Sequence, residues 1–573
     1  MAASETKSSA RDMLLKTLHG YIFRELLRNF LLTAAALTTL LAFGGMFQPL
    51  TKFGVEGAQL IKLLVNLMPA MLAYSIPMAA LFAAVVVYWR MSTDNELTAC
   101  RASGVSFTAL VVPAFALGLL VASMDLIFVN YVVPKFLQNA ERAVRRDLGA
   151  LLVNTLGRQE PFRYDRLIIY ADRSESVEGE QEGQRIVYLQ GLAVTRLNND
   201  GKPDRLVVAR QARISIFNDP NEDGTRISID EISDAVAFEP KDFNRVAFSL
   251  SEFMPDGRPL AVPSAFRDRP KFMNIRQLNT LYNQPYQFAP VGESVRRISD
   301  LIKSQGAAET LVKLHKPNQP ITFDIPTRSD EPRESIRITA ASARNTTARQ
   351  VNFETPGGVV RVEQLRGGEP ANTYIAKSAE LQFTFTNVAN TSDLTGTLTI
   401  SGDVKQTNHI AQFAQASVGT LTLGGLVVPS SWVPAVKDDE PLELVRAAQQ
   451  LAQTDTVAAP PLRGYVAETA GRVDRLLRTI KSERHSRGSF AVSCLTLVLL
   501  GAALGILLRG KNPLAVFVTG FVPAIVLVLL ITAGRQVTES AGGNEAVGLT
   551  LIWAGNFILL AIVAIVYSVL LRK

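Results

Sequence analysis

The stretch LLVNLMPAMLAYSIPMAALFAAVVVYW, residues 63–89, decides the fold class because it contains no Asp, Glu, Lys or Arg. A helix needs about 20 residues to cross the roughly 30 Å hydrocarbon core of a bilayer. Five more uncharged stretches meet this requirement, at residues 29–51, 102–124, 488–508, 512–534 and 546–571. The sequence therefore predicts six membrane-spanning helices, because six runs of this length are hard to bury in a soluble protein.

The composition of the 573-residue chain agrees with a membrane protein. Hydrophobic residues make up 47% and charged residues 19%, against about 25% charged residues in a typical soluble domain. This excludes disorder as the main state, since disorder needs low hydrophobicity and high charge. The net charge of +7 is small for the length and does not by itself indicate nucleic acid binding. Two distant cysteines and four scattered histidines form neither a disulfide framework nor a zinc spacing.

Basic residues near the ends of the six stretches predict the orientation of the chain. They precede the first stretch, separate the second from the third and the fourth from the fifth, and end the chain: Arg24, Arg28, Arg90, Arg101, Arg509, Lys511, Arg572 and Lys573. All of these positions fall on one side if six helices alternate, so both termini are expected in the cytoplasm. The protein is then a multi-pass protein of the inner membrane, with its long polar region in the periplasm.

The polar region between the third and fourth stretches is predicted to be rich in β-strands. Ile214 and Ile216 alternate with polar residues before a turn, and Ile227 and Ile229 alternate after it, which indicates a hairpin. A similar alternation on both sides of a turn occurs within residues 381–400. The region is therefore expected to fold as a β-rich domain.

Seven parts follow from these patterns. They are a cytoplasmic N-terminus with an interfacial helix (1–28), three spans (29–134), a β lobe (135–260), a helical insert (261–317), a second β lobe (318–435), a helical connector (436–487) and three final spans (488–573). The predicted fold class is an integral membrane α-helical protein. Six transmembrane helices are arranged as three plus three around a large β-rich periplasmic domain.

Three local patterns have simpler structural explanations than a ligand. Residues 505–511 match the GxxxxGK of a phosphate loop, but Asn512 replaces the hydroxyl residue and no strand precedes it. Residues from Asp219 to Asp230 begin like a calcium loop. The final Glu is missing and the flanks look like strands, so a polar hairpin turn is favoured and calcium stays the minor alternative. Asp125 is expected to reach the membrane interface, since a carboxylate inside the bilayer is costly.

The loop of residues 90–104, RMSTDNELTACRASG, is the strongest candidate site. Ser92, Thr93 or Asp94 can cap a short helix, and Glu96 then lies near its N-terminus, where a negative charge is favourable. A short amphipathic helix between two spans can dock into a groove of a soluble partner. A plain solvated turn is the alternative.

This loop resembles that of the LptF/LptG permeases, the transmembrane subunits of the lipopolysaccharide-export ABC transporter. The shared pattern is Arg90-x-Ser-x-Asp-x-Glu-Leu, followed by Arg-Ala-Ser-Gly-Val-Ser at residues 101–106. Other matching pieces are Tyr21-Ile-x-Arg-Glu-Leu-Leu, Pro77 in the second span, Asn130-x-x-Val-Pro134 and Glu483-Arg-His-Ser-Arg487. The resemblance covers residues 13–136 and about 470–573 well, and the first β lobe loosely.

The resemblance implies a transporter subunit without covalent chemistry and a jellyroll-like periplasmic domain. It also implies an LptB-like cytoplasmic ATPase dimer that uses the ATP, so no cofactor is expected on this chain. Other implied partners are a second LptF/LptG-type permease, LptC/LptA-like β-jellyroll bridge proteins, and lipopolysaccharide or a related glycolipid as cargo. The family's outer domain is smaller than the region found here, so the resemblance assigns no role to residues 261–435.

The resemblance also suggests site residues. Coupling to the ATPase is expected from Asp94, Glu96, Leu97, Arg101 and Gly104. Because phosphorylated headgroups need cations at the outer rim, the expected headgroup residues are Lys52, Lys62, Lys135 and Arg535. The alternative for each base is ordinary anchoring at the membrane interface. By analogy, spans one and five line a central cavity.

Two other functions remain compatible with the sequence. The chain could be an ABC-type membrane subunit that remodels the envelope without lipid cargo, which predicts no headgroup-binding cations. It could also be a membrane-anchored β-domain scaffold without an ATPase, which predicts that replacing Glu96 or Arg101 changes nothing.

Overall fold

The fold was determined from a computed structural model of the chain. The structure describes residues 2–53, 58–146, 156, 159–164, 167–179, 184–197, 203–218, 225–233, 236–238, 245–246, 260–262, 269–325, 333–388, 391–409, 416–454, 459–540 and 542–572.

Six helices in this part of the chain are long and apolar enough to cross a membrane. The spans are Leu15–Gly44, Met68–Thr93, Phe107–Asn139, Ala459–Leu507, Val518–Glu539 and Glu545–Leu570. They lie in α1 (Ala2–Phe53), α2 (Ala58–Thr93), α4 (Phe107–Ile127) with α5 (Val133–Arg146), α9 (Ala459–Leu507), α10 (Pro513–Glu539) and α11 (Glu545–Arg572). A short helix, α3 (Glu96–Ala102), lies between spans two and three. Antiparallel sheets lie between spans three and four in sequence, which confirms the predicted fold class.

The third span contains one turn of π-helix, Phe128–Val132, between α4 and α5. Pro134 has no N–H to donate, so the regular helical ladder is interrupted in the turn before it. The Asn130 side chain donates to the Leu126 carbonyl at 2.8 Å within this region.

Helix α9 approaches α2 closely at Gly505. A Cβ at this position would lie 2.8 Å from both the Val85 carbonyl oxygen and the Trp89 amide nitrogen. The first glycine of the GxxxxGK pattern is therefore explained by helix packing. Gly510, in the turn after the helix, has a φ of 76°, which glycine adopts without steric cost.

The chain divides into two compact units. The helical unit comprises Met1–Ala143, Ala265–Gln287 and Arg472–Lys573, and the β-rich unit comprises Val144–Ser264 and Phe288–Gly471. The stretch predicted as a helical insert contains α6 (Ile275–Asn283), in the helical unit, and α7 (Ala289–Leu314), in the β-rich unit.

The first sheet is antiparallel, with the order β1-β2-β4-β5-β6-β9 along its main path. Its strands are β1 (Phe162–Tyr164), β2 (Leu167–Tyr170), β3 (Arg173–Glu178), β4 (Gln184–Leu197), β5 (Pro203–Asn218), β6 (Thr225–Ser233), β7 (Val236–Phe238), β8 (Arg245–Val246) and β9 (Leu260–Val262). Ile214 pairs with Ile229 and Ile216 with Ile227, which confirms the predicted hairpin. Alternate side chains of β4 and β5 form the buried core of this sheet.

The second sheet has the order β10-β11-β14-β15-β17-β16-β13-β12, with β18 also paired to β17. Its strands are β10 (Ile321–Ile325), β11 (Glu334–Thr339), β12 (Ser342–Thr347), β13 (Gln350–Glu354), β14 (Val360–Arg366), β15 (Glu369–Ala376), β16 (Ser378–Val388), β17 (Thr391–Asn408) and β18 (Ala416–Val427). Leu381 of β16 pairs with Leu398 of β17, as the alternation predicted. Helix α7 contributes Ala307, Ala308 and Leu311 to the core of this sheet.

A helix that follows the second sheet, α8 (Pro441–Leu451), packs on α7. The segment before α8 is tied to α7 by Asp438, which accepts hydrogen bonds from Ser299 at 2.6 Å and Lys303 at 2.5 Å. Gly306 lies against Pro434, where a Cβ would clash. The second sheet is therefore attached to flanking helices at both ends of its sequence.

Candidate functional site

The loop between spans two and three folds into the short helix α3 and a turn at each end. Asn95 precedes the helix with a φ of 56°, and Gly104 follows it with a φ of 87°. No side chain caps the N-terminus of α3, so the expectation that Ser92, Thr93 or Asp94 caps it is wrong. The left-handed backbone at Asn95 starts the helix in their place, since Asn tolerates this conformation.

Leu97 attaches α3 to the membrane helices. Its side chain is 7% exposed and belongs to an apolar cluster with Ile22, Leu26, Met91 and Leu110. Burying a leucine side chain stabilises a fold by about 1.5–3 kcal/mol. The helix is therefore attached through a buried apolar residue, in a cluster to which helices α1, α2 and α4 also contribute.

Polar contacts join the end of α2, next to α3, to neighbouring spans. Arg90 donates to Tyr21 Oη at 3.2 Å and pairs with Glu25 of α1 at 3.5 Å. Tyr88 Oη donates to the Leu110 carbonyl of α4 at 2.7 Å. Ser92 Oγ donates to the Ile506 carbonyl of α9 at 3.4 Å. A displacement of this segment would therefore act on α1, α4 and α9 as well as α2.

Three other charged residues of the loop take no part in these contacts. Asp94 and Arg101 are exposed, and Glu96 is half-buried. Cys100, on the same short helix, has its thiol pKa raised, first by burial and second by the Glu96 carboxylate. The arrangement leaves the apolar side of α3 buried and its charges available to another molecule.

The four predicted headgroup cations have different surroundings. The side chains of Lys52 and Lys62 lie outside the described residues. Lys135 is exposed on α5. Arg535 is half-buried in α10 and forms ion pairs with Glu483 and, at 3.8 Å, Glu539, so its charge is partly compensated inside the chain.

A buried polar cluster lies at the end of the third span and the start of the fourth, the two spans that flank the β-rich region in sequence. Sequence reasoning did not assign this cluster as a site. Glu483 and Arg487, one helical turn apart in α9, are each 4% exposed and pair at 3.5 Å. Arg487 Nη1 donates to Asn130 Oδ1 at 3.2 Å, and Nη2 donates to the Lys271 and Met273 carbonyls at 3.1 and 2.9 Å. We call Asn130, Glu483, Arg487 and Arg535 the arginine cluster.

The spacing of Glu483 and Arg487 could have predicted their pairing on one helix face. The contact with Asn130 could not be predicted, because it joins residues 357 positions apart in sequence. The two sequence pieces that carry the resemblance at the ends of spans three and four thus meet in space.

The expectation for Asp125 is wrong. This carboxyl group is 1% exposed, and its Oδ2 has no hydrogen-bond partner among the described residues. Asp125 faces the helix bundle because buried residues recur along this face of α4 at Leu117, Val121 and Asp125. It therefore does not reach the membrane interface.

The model of the family described as lipopolysaccharide export system permease LptF/LptG matches residues 20–313 and 443–570. The chain belongs to the LptF/LptG permease family. Proteins of this family are transporters, and the six spans make this permease a multi-pass membrane protein. No curated protein matches the chain.

The part of the permease that the family model leaves unmatched, residues 314–442, contains the whole second sheet, β10 to β18. Helix α7, which packs into the core of that sheet, lies within the matched part up to residue 313. The family model therefore does not account for the second sheet, although it matches the helix that packs into the core of that sheet.

The calcium pattern of the permease stays untested, since residues 219–224 lie outside the described residues. Within the described part of the chain, no group of three or more His, Cys, Asp or Glu side chains could hold a metal ion.

Proposed function

We propose that this permease is the membrane subunit of an ABC transporter that extracts lipopolysaccharide, or a related glycolipid, from the inner membrane. A separate LptB-like ATPase dimer in the cytoplasm drives the movement. A second LptF/LptG-type permease completes the transmembrane part, and periplasmic β-jellyroll proteins receive the lipid. Membership of the LptF/LptG family supports lipopolysaccharide export. The ATPase, the second permease and the receiving proteins are finer assignments that rest on the residues of this chain.

The observation that carries the proposal is the docked helix α3. Leu97 anchors it in an apolar cluster that α1, α2 and α4 share, while Asp94 and Arg101 stay exposed and Glu96 half-exposed. Exposed charges on a fixed helix suit a complementary groove, because they set the register and orientation of a partner. A solvated turn without a partner would not need a buried anchor.

Closure of the ATPase dimer would push on α3 and reach the spans through the contacts of α2. Arg90 leads to α1 through Glu25 and Tyr21, and Tyr88 leads to α4 through the Leu110 carbonyl. Packed helices and hydrogen-bonded side chains transmit displacement because interiors have low compressibility. We infer that the spans tilt together when the ATPase closes.

Spans one and five would line the lipid cavity, between this permease and the second one. Both present large exposed apolar side chains: Leu31, Leu32, Leu40 and Phe43 on α1, and Val518, Val522, Val526 and Leu529 on α10. Such surfaces suit acyl chains. Lys52, Lys62, Lys135 and Arg535 would bind the phosphorylated headgroup at the periplasmic rim, because ionised phosphate–base contacts are the strong ones.

The proposed orientation places the loop of residues 90–104 in the cytoplasm and the β-rich region in the periplasm, following the positions of the basic residues. Lipid would pass from the cavity to an apolar face of the first sheet. A bridge protein would join by strand addition at an exposed sheet edge, where main-chain groups are free to pair.

Affinity purification of the full chain in mild detergent tests the coupling assignment. The wild type should recover a P-loop ATPase, and Glu96→Lys should lose it. Glu380→Lys is the matched control, since Glu380 is exposed on β16 of the second sheet.

Recovery of the ATPase with both variants would contradict the coupling role of α3. Failure of the wild type to recover any ATPase, in detergent that keeps other membrane complexes intact, would favour the scaffold function. Photocrosslinking of lipopolysaccharide from position 135 then tests the headgroup role. Its absence, with the ATPase still bound, would favour envelope remodelling without lipid cargo.

A further inference from the structure

The arginine cluster marks one boundary of the bilayer core on the protein. Arg487 immediately precedes the uncharged stretch 488–508, and Arg535 immediately follows the uncharged stretch 512–534. Both side chains pair with Glu483, so the two stretches end at one level. Asn130, bonded to Arg487, places the third span at the same level. Charged side chains belong at this depth, where the headgroups begin.

A short segment, Arg269 to Asn283, is fixed at this boundary within the helical unit. It consists of Arg269, the 3₁₀ turn Pro270–Phe272 and helix α6. Arg487 donates hydrogen bonds to two backbone carbonyls of this segment, those of Lys271 and Met273. We call it the boundary segment.

Helix α6 is fixed by a second set of contacts. Gln277 and Asn274 form a capping box, with bonds of 2.8 and 2.9 Å between each side chain and the other's backbone amide. Gln138 of α5 donates to Gln277 Oε1 at 3.4 Å. Leu278 and Leu281 are the buried residues of α6. The boundary segment is therefore docked on spans three and four and has a defined outward side.

Three cations occupy that outward side: Arg269, Lys271 and Arg276 are all exposed. None of them forms an ion pair with a carboxylate of the described residues. The Lys271 ammonium lies 5.6 Å from the centre of the Phe272 ring, and Tyr282 of α6 is 38% exposed. Basic and aromatic side chains together are typical of a protein surface at the headgroup level.

We propose that the boundary segment binds the phosphate groups of anionic bilayer lipids through Arg269, Lys271 and Arg276. Bilayer lipid is the occupant because the exposed cations stand beside aromatic side chains, Phe272 and Tyr282, at the depth where the uncharged stretches end. Each cation near an anionic membrane surface contributes on the order of 1 kcal/mol. The bound lipids would hold the boundary segment, which lies between the two sheets in sequence, at the membrane surface.

The test uses the full chain in detergent, titrated with phosphatidylglycerol and followed by native mass spectrometry. The variant Arg269→Gln/Lys271→Gln/Arg276→Gln should retain fewer phosphatidylglycerol molecules, with about fivefold weaker binding for each cation removed. Zwitterionic phosphatidylcholine should bind both proteins alike. Raising the salt concentration should reduce the difference in phosphatidylglycerol binding between the wild type and the variant, since salt screens exposed charges.

The matched control is Arg296→Gln/Lys313→Gln/Lys316→Gln. It removes three exposed positive charges from α7 and the residues just after it, in the β-rich unit. This control should bind phosphatidylglycerol as the wild type does. Equal binding by both triple variants would overturn the proposal.

A parallel titration with purified lipopolysaccharide separates the two sources of phosphate. Loss of lipopolysaccharide binding with unchanged phosphatidylglycerol binding would also overturn the proposal, because the boundary segment would then serve the cargo. The single variant Arg276→Gln, at an exposed position in the first turn of α6, repeats the test if the triple variant does not fold. It should weaken phosphatidylglycerol binding about fivefold.

Discussion

The two ends of the membrane helices differ in whether the charged side chains described above are exposed or buried. At the end that carries α3, an apolar residue, Leu97, is buried and the charged Asp94 and Arg101 are exposed. At the other end, Glu483 and Arg487 are buried and bonded within the chain. An exposed charge can be used by a partner, whereas a buried charge already has its partners. In the proposed function the first end docks the ATPase, whereas at the second end Arg487 bonds the third and fourth spans to the boundary segment.

Arg487→Ala should have the largest effect on this comparison. It removes three hydrogen bonds and leaves Glu483 with Arg535 alone. Breaking a buried ion pair costs about 3–5 kcal/mol, so the thermal unfolding temperature in detergent should fall by many degrees. Arg475→Ala is the control, since Arg475 is exposed on the same helix, and it should change stability by less than about 0.5 kcal/mol.

The double variant Glu483→Gln/Arg487→Met should unfold at a higher temperature than Arg487→Ala. Replacing both members of the pair avoids leaving the buried Glu483 carboxylate with Arg535 as its one cationic partner among the described residues. If the double variant is less stable than both Arg487→Ala and Glu483→Gln, Glu483 stabilises the helices mainly through Arg535.

Leu97→Ala should have an intermediate effect. It removes the apolar anchor of α3, at a cost of about 2 kcal/mol or more for a buried leucine. We expect ATPase recovery to fall strongly while the spans remain folded, because the other contacts of α2 are unchanged. Thr98→Ala is the control, since Thr98 is exposed on the same helix. Normal recovery with Leu97→Ala would mean that α3 needs no anchor.

The smallest effect is expected at Cys100. Burial and the Glu96 carboxylate raise its thiol pKa, and the thiolate is the form that reacts with maleimide. Glu96→Gln removes a negative charge, so the pKa should fall and the labelling curve should shift to lower pH. At neutral pH the labelling rate should therefore rise, because a larger fraction of the thiol is ionised.

Cys494 is fully buried, so labelling of the native protein reports on Cys100. Asp94→Asn is the control for this measurement, because Asp94 is not among the causes of the Cys100 shift. An equal acceleration by Asp94→Asn would assign the effect to the overall charge of the loop.

Hydrophobic runs, strand alternation and turn residues predicted the six spans, one hairpin and a further alternating pair of strands, because these features depend on local pattern. The loop of residues 90–104 was found because its motif is contiguous. Its helix start at Asn95 was missed, since a left-handed residue replaces the usual side-chain cap. The arginine cluster was missed because it depends on tertiary contacts, and Asp125 was misplaced because one residue does not reveal which side of a span it faces.

The two left-handed positions beside α3 have a consequence for engineering. Asn95 and Gly104 fix where the backbone turns, and Leu97 fixes how the helix sits. Thr98, Ala99 and Arg101 are among the exposed positions between them, and under the proposed coupling role these three can be exchanged together. Replacing those residues with the ones found in another permease, while Asn95, Leu97 and Gly104 are kept, is a way to make this protein bind the ATPase of that permease.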